Sequence, residues 1–240
     1  MKKWMNLGWI LVFAASAAFA EVVEFSEDEL ATESVMPVFD RPEIVRNRSI
    51  PMTKRLEAGL DVGWALTEAI YGAYNLGANI TYHLNDERGI NLHYTSYLPG
   101  VSTYADQLYG QYGLDYSRAP APKSSYFLNY ELKMYYGKMS FSKETVLNLS
   151  LYSLIGAGMV NYSHKSYPAI NVGLGQRFYF TKKFALRFDM KLQYNNATVP
   201  VLNYTSARSL LKNSPAPSPD DFSERYQLFT FLDGGFVWLF

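Results

Sequence analysis

FALRFDMKLQYN, residues 184–195, alternates between two kinds of side chain without a break. Phe184, Leu186, Phe188, Met190, Leu192 and Tyr194 fall on one side; Ala185, Arg187, Asp189, Lys191, Gln193 and Asn195 fall on the other. A helix would scatter both sets around its circumference, whereas a strand sends successive side chains to opposite faces. The stretch is a strand, and a long one.

The same period of two recurs over Leu56–Leu66, Tyr74–Leu84, Ile90–Thr95, Tyr126–Tyr136, Leu147–Met159, Ile170–Phe180 and Tyr226–Phe240,. That makes eight strands. The links between them alternate in kind. Asn85–Gly89, Ser140–Thr145 and Thr181–Lys183 are short; Leu98–Ser125, Asn161–Tyr167 and Asn196–Glu224 are longer, and Thr67–Tyr71 is a short exception. The two longest carry Pro-rich tracts, Ala119–Pro122 and Pro215–Pro219, which resist regular structure,. An all-β, up-and-down, eight-stranded antiparallel barrel with both termini at one end predicts this arrangement.

The 240 residues carry 22 basic and 22 acidic side chains and no cysteine, so no disulfide framework, thiolate metal site or cysteine nucleophile is available,. A zero net charge argues against a nucleic-acid partner,. Residues 1–20 read as a secretory signal: Lys2 and Lys3, an apolar run from Leu7 to Phe13, and Ala18-Phe19-Ala20 as the cleavage site,. Residues 21–53 hold 8 acidic and 3 basic residues, with Pro37, Pro42 and Pro51 interrupting any long element,. They are expected to form a largely irregular acidic arm, on the periplasmic side, ahead of a barrel domain at residues 54–240.

Which face of the strands meets solvent decides the class. A soluble lipocalin-like barrel would be apolar inside. Strands of about eleven residues at ~3.3 Å each, tilted ~40°, rise far enough to match an apolar band of ~25 Å. The apolar faces carry no ionised residue, while the opposite faces carry Arg55, Glu57, Asp61, Glu131, Lys133, Arg177, Arg187, Asp189, Lys191, Arg225 and Asp233. The aromatics sort by height along the apolar face. One rim collects Trp64, Tyr74, Tyr94, Tyr126, Tyr130, Tyr194 and Tyr226; the other collects Tyr82, Tyr136, Phe178, Phe180, Phe184, Trp238 and Phe240. Two aromatic belts around an aliphatic band fit a bilayer, because amphipathic rings favour its interfaces. Outer-membrane lipid is therefore the expected surrounding partner.

The chain ends Asp233, Gly235, Phe236, Trp238, Phe240 at two-residue steps beyond the glycine. This tail resembles the assembly signal of bacterial outer-membrane β-barrels, with Gly235, Trp238 and Phe240 as its elements. The resemblance implies recognition by the barrel-assembly machinery through the C-terminal Phe. Residues 54–240 as a whole resemble the small outer-membrane β-barrel domain family of predatory and gliding bacteria, with an eight-stranded architecture of the OmpA and OmpX kind. Glu131–Val160 carries most of that likeness, with Tyr135–Lys138 and then Gly156-Ala157-Gly158. It implies a non-enzymatic protein of the Gram-negative cell envelope and supplies no catalytic residue, metal ligand or cofactor site.

A closed eight-stranded ring has an interior just filled by side chains. Asp61, Glu131, Lys133, Arg177, Arg187, Asp189, Lys191 and Asp233 are accordingly expected to neutralise one another there, since unpaired buried charges are costly. Glycines on the same face suit a narrow lumen. Phe127, Met139, Leu154, Phe229 and Phe231 also fall on it, more apolar surface than a wet pore needs. A porin-like homo-oligomer, in which protomers share a larger strand wall and pass ions or small solutes, is the alternative. His83 and His93, on the inner faces of adjacent strands, are expected to be satisfied interior residues, with neighbouring positions on those strands open to them; no third ligand at metal-site spacing accompanies them. His164, between Ser163 and Lys165, sits where a rim enzyme acting on lipid would place its base, but no carboxylate lies near it in sequence,.

Overall fold

The computed structural model describes residues 50–72, 74–98, 100–140, 146–203 and 209–240. The leader expected at residues 1–20 and the arm up to residue 49 lie outside the described residues. Eight strands follow: β1 (Leu56–Ala65), β2 (Tyr74–His83), β3 (Arg88–Tyr97), β4 (Pro122–Ser140), β5 (Val146–Tyr162), β6 (Ser166–Tyr179), β7 (Phe184–Leu202) and β8 (Phe222–Leu239). Each pairs antiparallel with the next, and β8 returns to β1 from Glu57↔Leu239 to Ala65↔Phe231. The ring closes within one chain and leaves no free sheet edge along its wall. The start of β1 and the end of β8 lie at one end of the ring, the terminus end; the three longest connections lie at the other, the loop end.

The alternation fixes what each face does. In β7, Arg187, Asp189, Lys191 and Gln193 are buried while Phe188, Met190, Leu192 and Tyr194 are exposed. The outer wall is bound by cross-strand aromatic pairs near both ends. Trp64 stacks on Tyr74 at 6.1 Å and Tyr194 on Tyr226 at 5.5 Å toward the loops; Phe184 meets Trp238 edge-on at 4.8 Å near the termini. Such pairs contribute a few tenths to 1 kcal/mol each.

A β-bulge between Lys133 and Tyr135 changes the face of every residue beyond it,. Tyr136, expected on the apolar face, is 7% exposed inside the ring, and Met139, expected inside, is exposed. Tyr130 is exposed but lies opposite Ile90 and Ile155, not among the loop-end aromatics. Four residues from Tyr126 at ~3.3 Å each, it sits roughly 10 Å deeper, in the aliphatic band. Arg225, expected to face inward, is exposed, because β7 and β8 run on past their neighbours there.

Those extensions also shorten the connections. β5 reaches Tyr162 and β6 starts at Ser166, so the link expected at Asn161–Tyr167 is three residues long. Tyr162 N–H donates to the Lys165 carbonyl at 2.8 Å and closes it. Asn196–Glu224 likewise contracts to residues 203–221. Pro122, the end of a tract read as resisting regular structure, is the first residue of β4, and Pro200 falls inside the register shift of β7; neither position needs a ladder donor,.

The long β3–β4 link contains a helix, α1 (Thr103–Tyr112). Ser102 caps it by accepting from Ala105 N–H, and Gly113 ends it at φ 67°, a left-handed conformation suited to glycine,. Above the ring the loops share a small core of their own: Tyr71, Ala119, Leu210 and Phe222. Arg118 ties two of them by donating to the carbonyls of Leu211, Lys212 and Ser214. The terminus end is closed differently. Ile50 and Met52 are 2% and 3% exposed and pack with Tyr136, Tyr179, Val237 and Leu239. Asp86 holds this segment by accepting from the N–H groups of Met52 at 2.8 Å and Thr53 at 3.1 Å.

The interior has no room to spare. A Cβ at Gly175 would collide with the Asp189 carboxylate and the Tyr152 hydroxyl. Gly175→Ala is expected to lower stability by about 1–3 kcal/mol, the usual cost of overpacking. Urea titration of the protein folded in lipid vesicles measures it; an unchanged midpoint would show that the lumen yields.

Candidate functional site

Two clusters of charge fill the lumen, one above the other. Toward the termini, Arg177 of β6 is the centre and is fully buried. Its guanidinium forks onto Glu131 of β4, with Nη1 to Oε1 at 2.8 Å and Nη2 to Oε2 at 2.7 Å. It also donates to Glu57 Oε1 of β1, from Nε at 3.1 Å and Nη2 at 2.8 Å. Arg187 donates to Asp189 at 2.7 Å and lies 3.6 Å from Glu57. Tyr152 lies beneath both arginines, with guanidinium-to-ring distances of 4.1 and 5.2 Å, and donates its hydroxyl to Asp189. His83 lies between Glu57 at 3.2 Å and Lys133 at 3.0 Å. Three carboxylates face three cations, and the layer is formally neutral.

Nearer the loops, Asp61 accepts from Asn79 at 2.9 Å and lies 3.3 Å from His93 Nε2. Lys191 lies 2.6 Å from Asp233 and 3.4 Å from the His93 ring nitrogens. Asn79 joins the layers, because its other amide atom accepts from Arg187 at 3.2 Å. With the imidazole neutral, this layer holds two carboxylates and one ammonium. Both amide atoms of Asn75, 1% exposed, have no hydrogen-bond partner among the described residues. They border a cavity of about 10 Å³, the space of a single water, which such a site commonly holds,.

All eight residues named for a lumen network, from Asp61 to Asp233, thus lie buried in these layers. His83 and His93 are on adjacent strands but in different layers, so they are not neighbours. Glu57, placed by its parity on the inner faces, was not counted in that network, and Tyr152 was passed over, although it shares the parity of Ser150, so an inward-facing tyrosine was the available signal. Of the belt aromatics, Trp64, Tyr74, Tyr94, Tyr126, Tyr194, Tyr226, Tyr82, Phe180 and Trp238 are exposed, with Phe178 and Phe184 half-buried on the same outer face. Gly235 packs a bare backbone against Leu60 and Asp61, and the Phe240 carbonyl accepts from Arg55 at 3.3 Å.

The loop rim gathers a second polar group. Tyr167 donates to Glu224 at 2.8 Å and lies 3.3 Å from His164 Nε2, so a carboxylate distant in sequence does come near that histidine. Lys165 pairs with Glu224 at 3.1 Å, and that hydrogen bond and charge raise its pKa. The serines are engaged elsewhere: Ser163 donates to the Ala121 carbonyl and Ser166 to Asn161. No nucleophile–base contact is made there among the described residues.

Removing one member of a buried ionic group leaves its partners uncompensated and typically costs 3–5 kcal/mol, while removing all members together costs far less. Arg177→Met is therefore expected to lose about 3–5 kcal/mol in vesicles, and the triple variant Glu57→Gln/Glu131→Gln/Arg177→Met to regain most of it. A single variant within ~1 kcal/mol of wild type would mean that water reaches the layer.

No protein-family model and no curated protein sequence matches the chain. Solved structures that it resembles include the N-terminal β-barrel domain of Pseudomonas aeruginosa OprF, at 12% identity and TM-score 0.43, covering 78% of this chain and 98% of that one. The outer membrane protein OprG from Pseudomonas aeruginosa aligns at 9% identity and TM-score 0.37, over 81% and 99%. Neisserial surface protein A aligns at 12% identity and TM-score 0.34, over 76% and 96%. Likeness at this level carries no argument about function, and the eight-stranded ring rests on the strand pairing of the chain itself.

Proposed function

We propose that this chain is an exported integral outer-membrane β-barrel with a non-enzymatic role, structural or surface-interacting. The observation that carries it is the inversion of the fold's polarity. Leu60, Val62, Ile155, Leu174, Met190 and Leu228 stand 52–72% exposed in an outer band that carries no charge between its aromatic belts among the described residues, while Glu57, Glu131, Arg177 and Arg187 are at most 2% exposed inside. A protein surrounded by water on all sides would leave that much contiguous apolar surface bare. In hydrocarbon it is the natural surface, and ring closure meets the requirement that backbone polar groups be paired internally.

Under this reading the terminus end faces the periplasm, and the loops with α1 face the outside. The leader at residues 1–20 supports export. The C-terminal Gly235, Trp238 and Phe240 fit insertion by the assembly machinery. The narrower affinity, to barrels of predatory and gliding bacteria, rests on the sequence of Glu131–Val160 alone.

A porin-like oligomer is disfavoured on two observations. Sharing strands between protomers needs β1 and β8 apart, and they pair over nine positions, Glu57 to Ala65. Passing solutes through one ring needs an open lumen, whereas the Arg177 layer crosses it and Ile50 and Met52 cap it.

Met190→Arg, placing charge on the outer wall near mid-height, is expected to cost about 2–4 kcal/mol of folding free energy in vesicles. An unchanged stability would reverse the assignment of the faces. Purified protein in a planar bilayer is expected to give no stepwise conductance; discrete steps would overturn the plugged-ring reading.

A further inference from the structure

Glu68 lies in the β1–β2 connection, above the last residue of β1, and turns toward the mouth of the lumen. Its carboxylate lies close to the backbone of Ile70 and Tyr71, and no cation among the described residues offsets its charge. Burial holds its carboxyl above the usual glutamate range. Glu68 borders a throat of about 20 Å³, walled by Tyr97, Tyr162, Phe229, Phe231 and Gln193. Tyr97 and Tyr162 line the same throat as its carboxylate. A carboxylate among aromatic rings is an environment that attracts a cation, because the face of an aromatic ring carries negative potential.

The throat continues outward. Tyr97 and Pro122 also border a vestibule of about 570 Å³ between the loops, whose other walls include Tyr71, Val101, Tyr116 and Ala119. That volume falls in the range of small-molecule sites. Its tyrosine hydroxyls are partly spent: Tyr71 donates to the Pro120 carbonyl and Tyr97 to Ser125. The rings therefore offer faces more than hydrogen bonds. Below the throat, Asp61 and Asp233 outnumber Lys191, so the field along this path favours positive charge. Lys123 borders the vestibule but is exposed and does not line the throat.

We propose that this outward-facing path is a binding site for a primary amine with a compact apolar body, the ammonium held by Glu68 in the aromatic throat and the body seated in the tyrosine-walled vestibule. The throat admits a group the size of water, which fits an –NH3+ and is too small for a quaternary ammonium,. The vestibule gives the specificity for an aromatic or branched aliphatic body over a bare inorganic cation.

The test uses the full barrel in lipid nanodiscs, with protein-free discs as the blank. Phenethylamine and its uncharged counterpart phenethyl alcohol are titrated by saturation-transfer NMR. Wild type is expected to bind the amine and to bind the alcohol far more weakly. Glu68→Gln is expected to weaken the amine roughly tenfold, the scale of one charge-assisted hydrogen bond, and to leave the alcohol unchanged. Phe231→Leu removes a ring without touching the carboxylate and is expected to weaken the amine several-fold. Equal amine affinity in wild type and Glu68→Gln overturns the assignment. So does equal affinity of wild type for amine and alcohol. A bound amine that Phe231→Leu fails to weaken places it outside the throat and overturns the assignment as well.

Discussion

Arg177 reaches across the lumen to Glu131 of β4 and Glu57 of β1, and the rest of the interior is arranged around that bridge. A ring of eight strands encloses a space about one side chain wide from each wall. A guanidinium placed there cannot be left alone, because its desolvation is offset only by carboxylates at hydrogen-bond distance. Planarity then limits the solution. The fork onto Glu131 uses two N–H groups on one edge, leaving the remaining edge for Glu57. Tyr152 takes the face of the ion, and Gly175 leaves the room that Tyr152 and Asp189 occupy. Bulk at one position is matched by a missing side chain at another.

Much of this was legible in the sequence, because a period of two needs no knowledge of the tertiary fold. Arg187, Asp189 and Lys191 had to share a face whatever the ring around them did. What could not be read was anything that depends on register around the circumference. Glu57 belongs with Arg177 although 120 residues separate them, since β1 and β6 meet only across a closed lumen. His83 and His93 looked adjacent along β2 and β3, yet strand offset sends one to each layer. The bulge at Lys133–Tyr135 had no residue signature such as a glycine, so Tyr136 and Met139 were assigned to the wrong faces. The loops were hardest. Ser102 and Gly113 bracket a good helix, but Tyr-rich, Pro-flanked sequence concealed the cap pair.

The two ends of the ring solve the same problem in opposite ways. At the terminus end, backbone ladders finish against Ile50, Met52, Val237 and Leu239, and the neutral Arg177 layer lies just beyond a dry apolar seal. At the loop end, the layer built on Asp61, Lys191 and Asp233 carries surplus negative charge with His93 neutral, and Asn75 has no partner for either amide atom among the described residues. Buried groups in that condition are tolerable only where water or a ligand can reach them. A lumen filled by one uniform design would have no reason for this asymmetry. Sealing one end and leaving the other polar makes the ring a wall toward its terminus side and a recess toward its loops. On the proposed binding path, a ligand therefore enters from the loop end, where the tyrosines are.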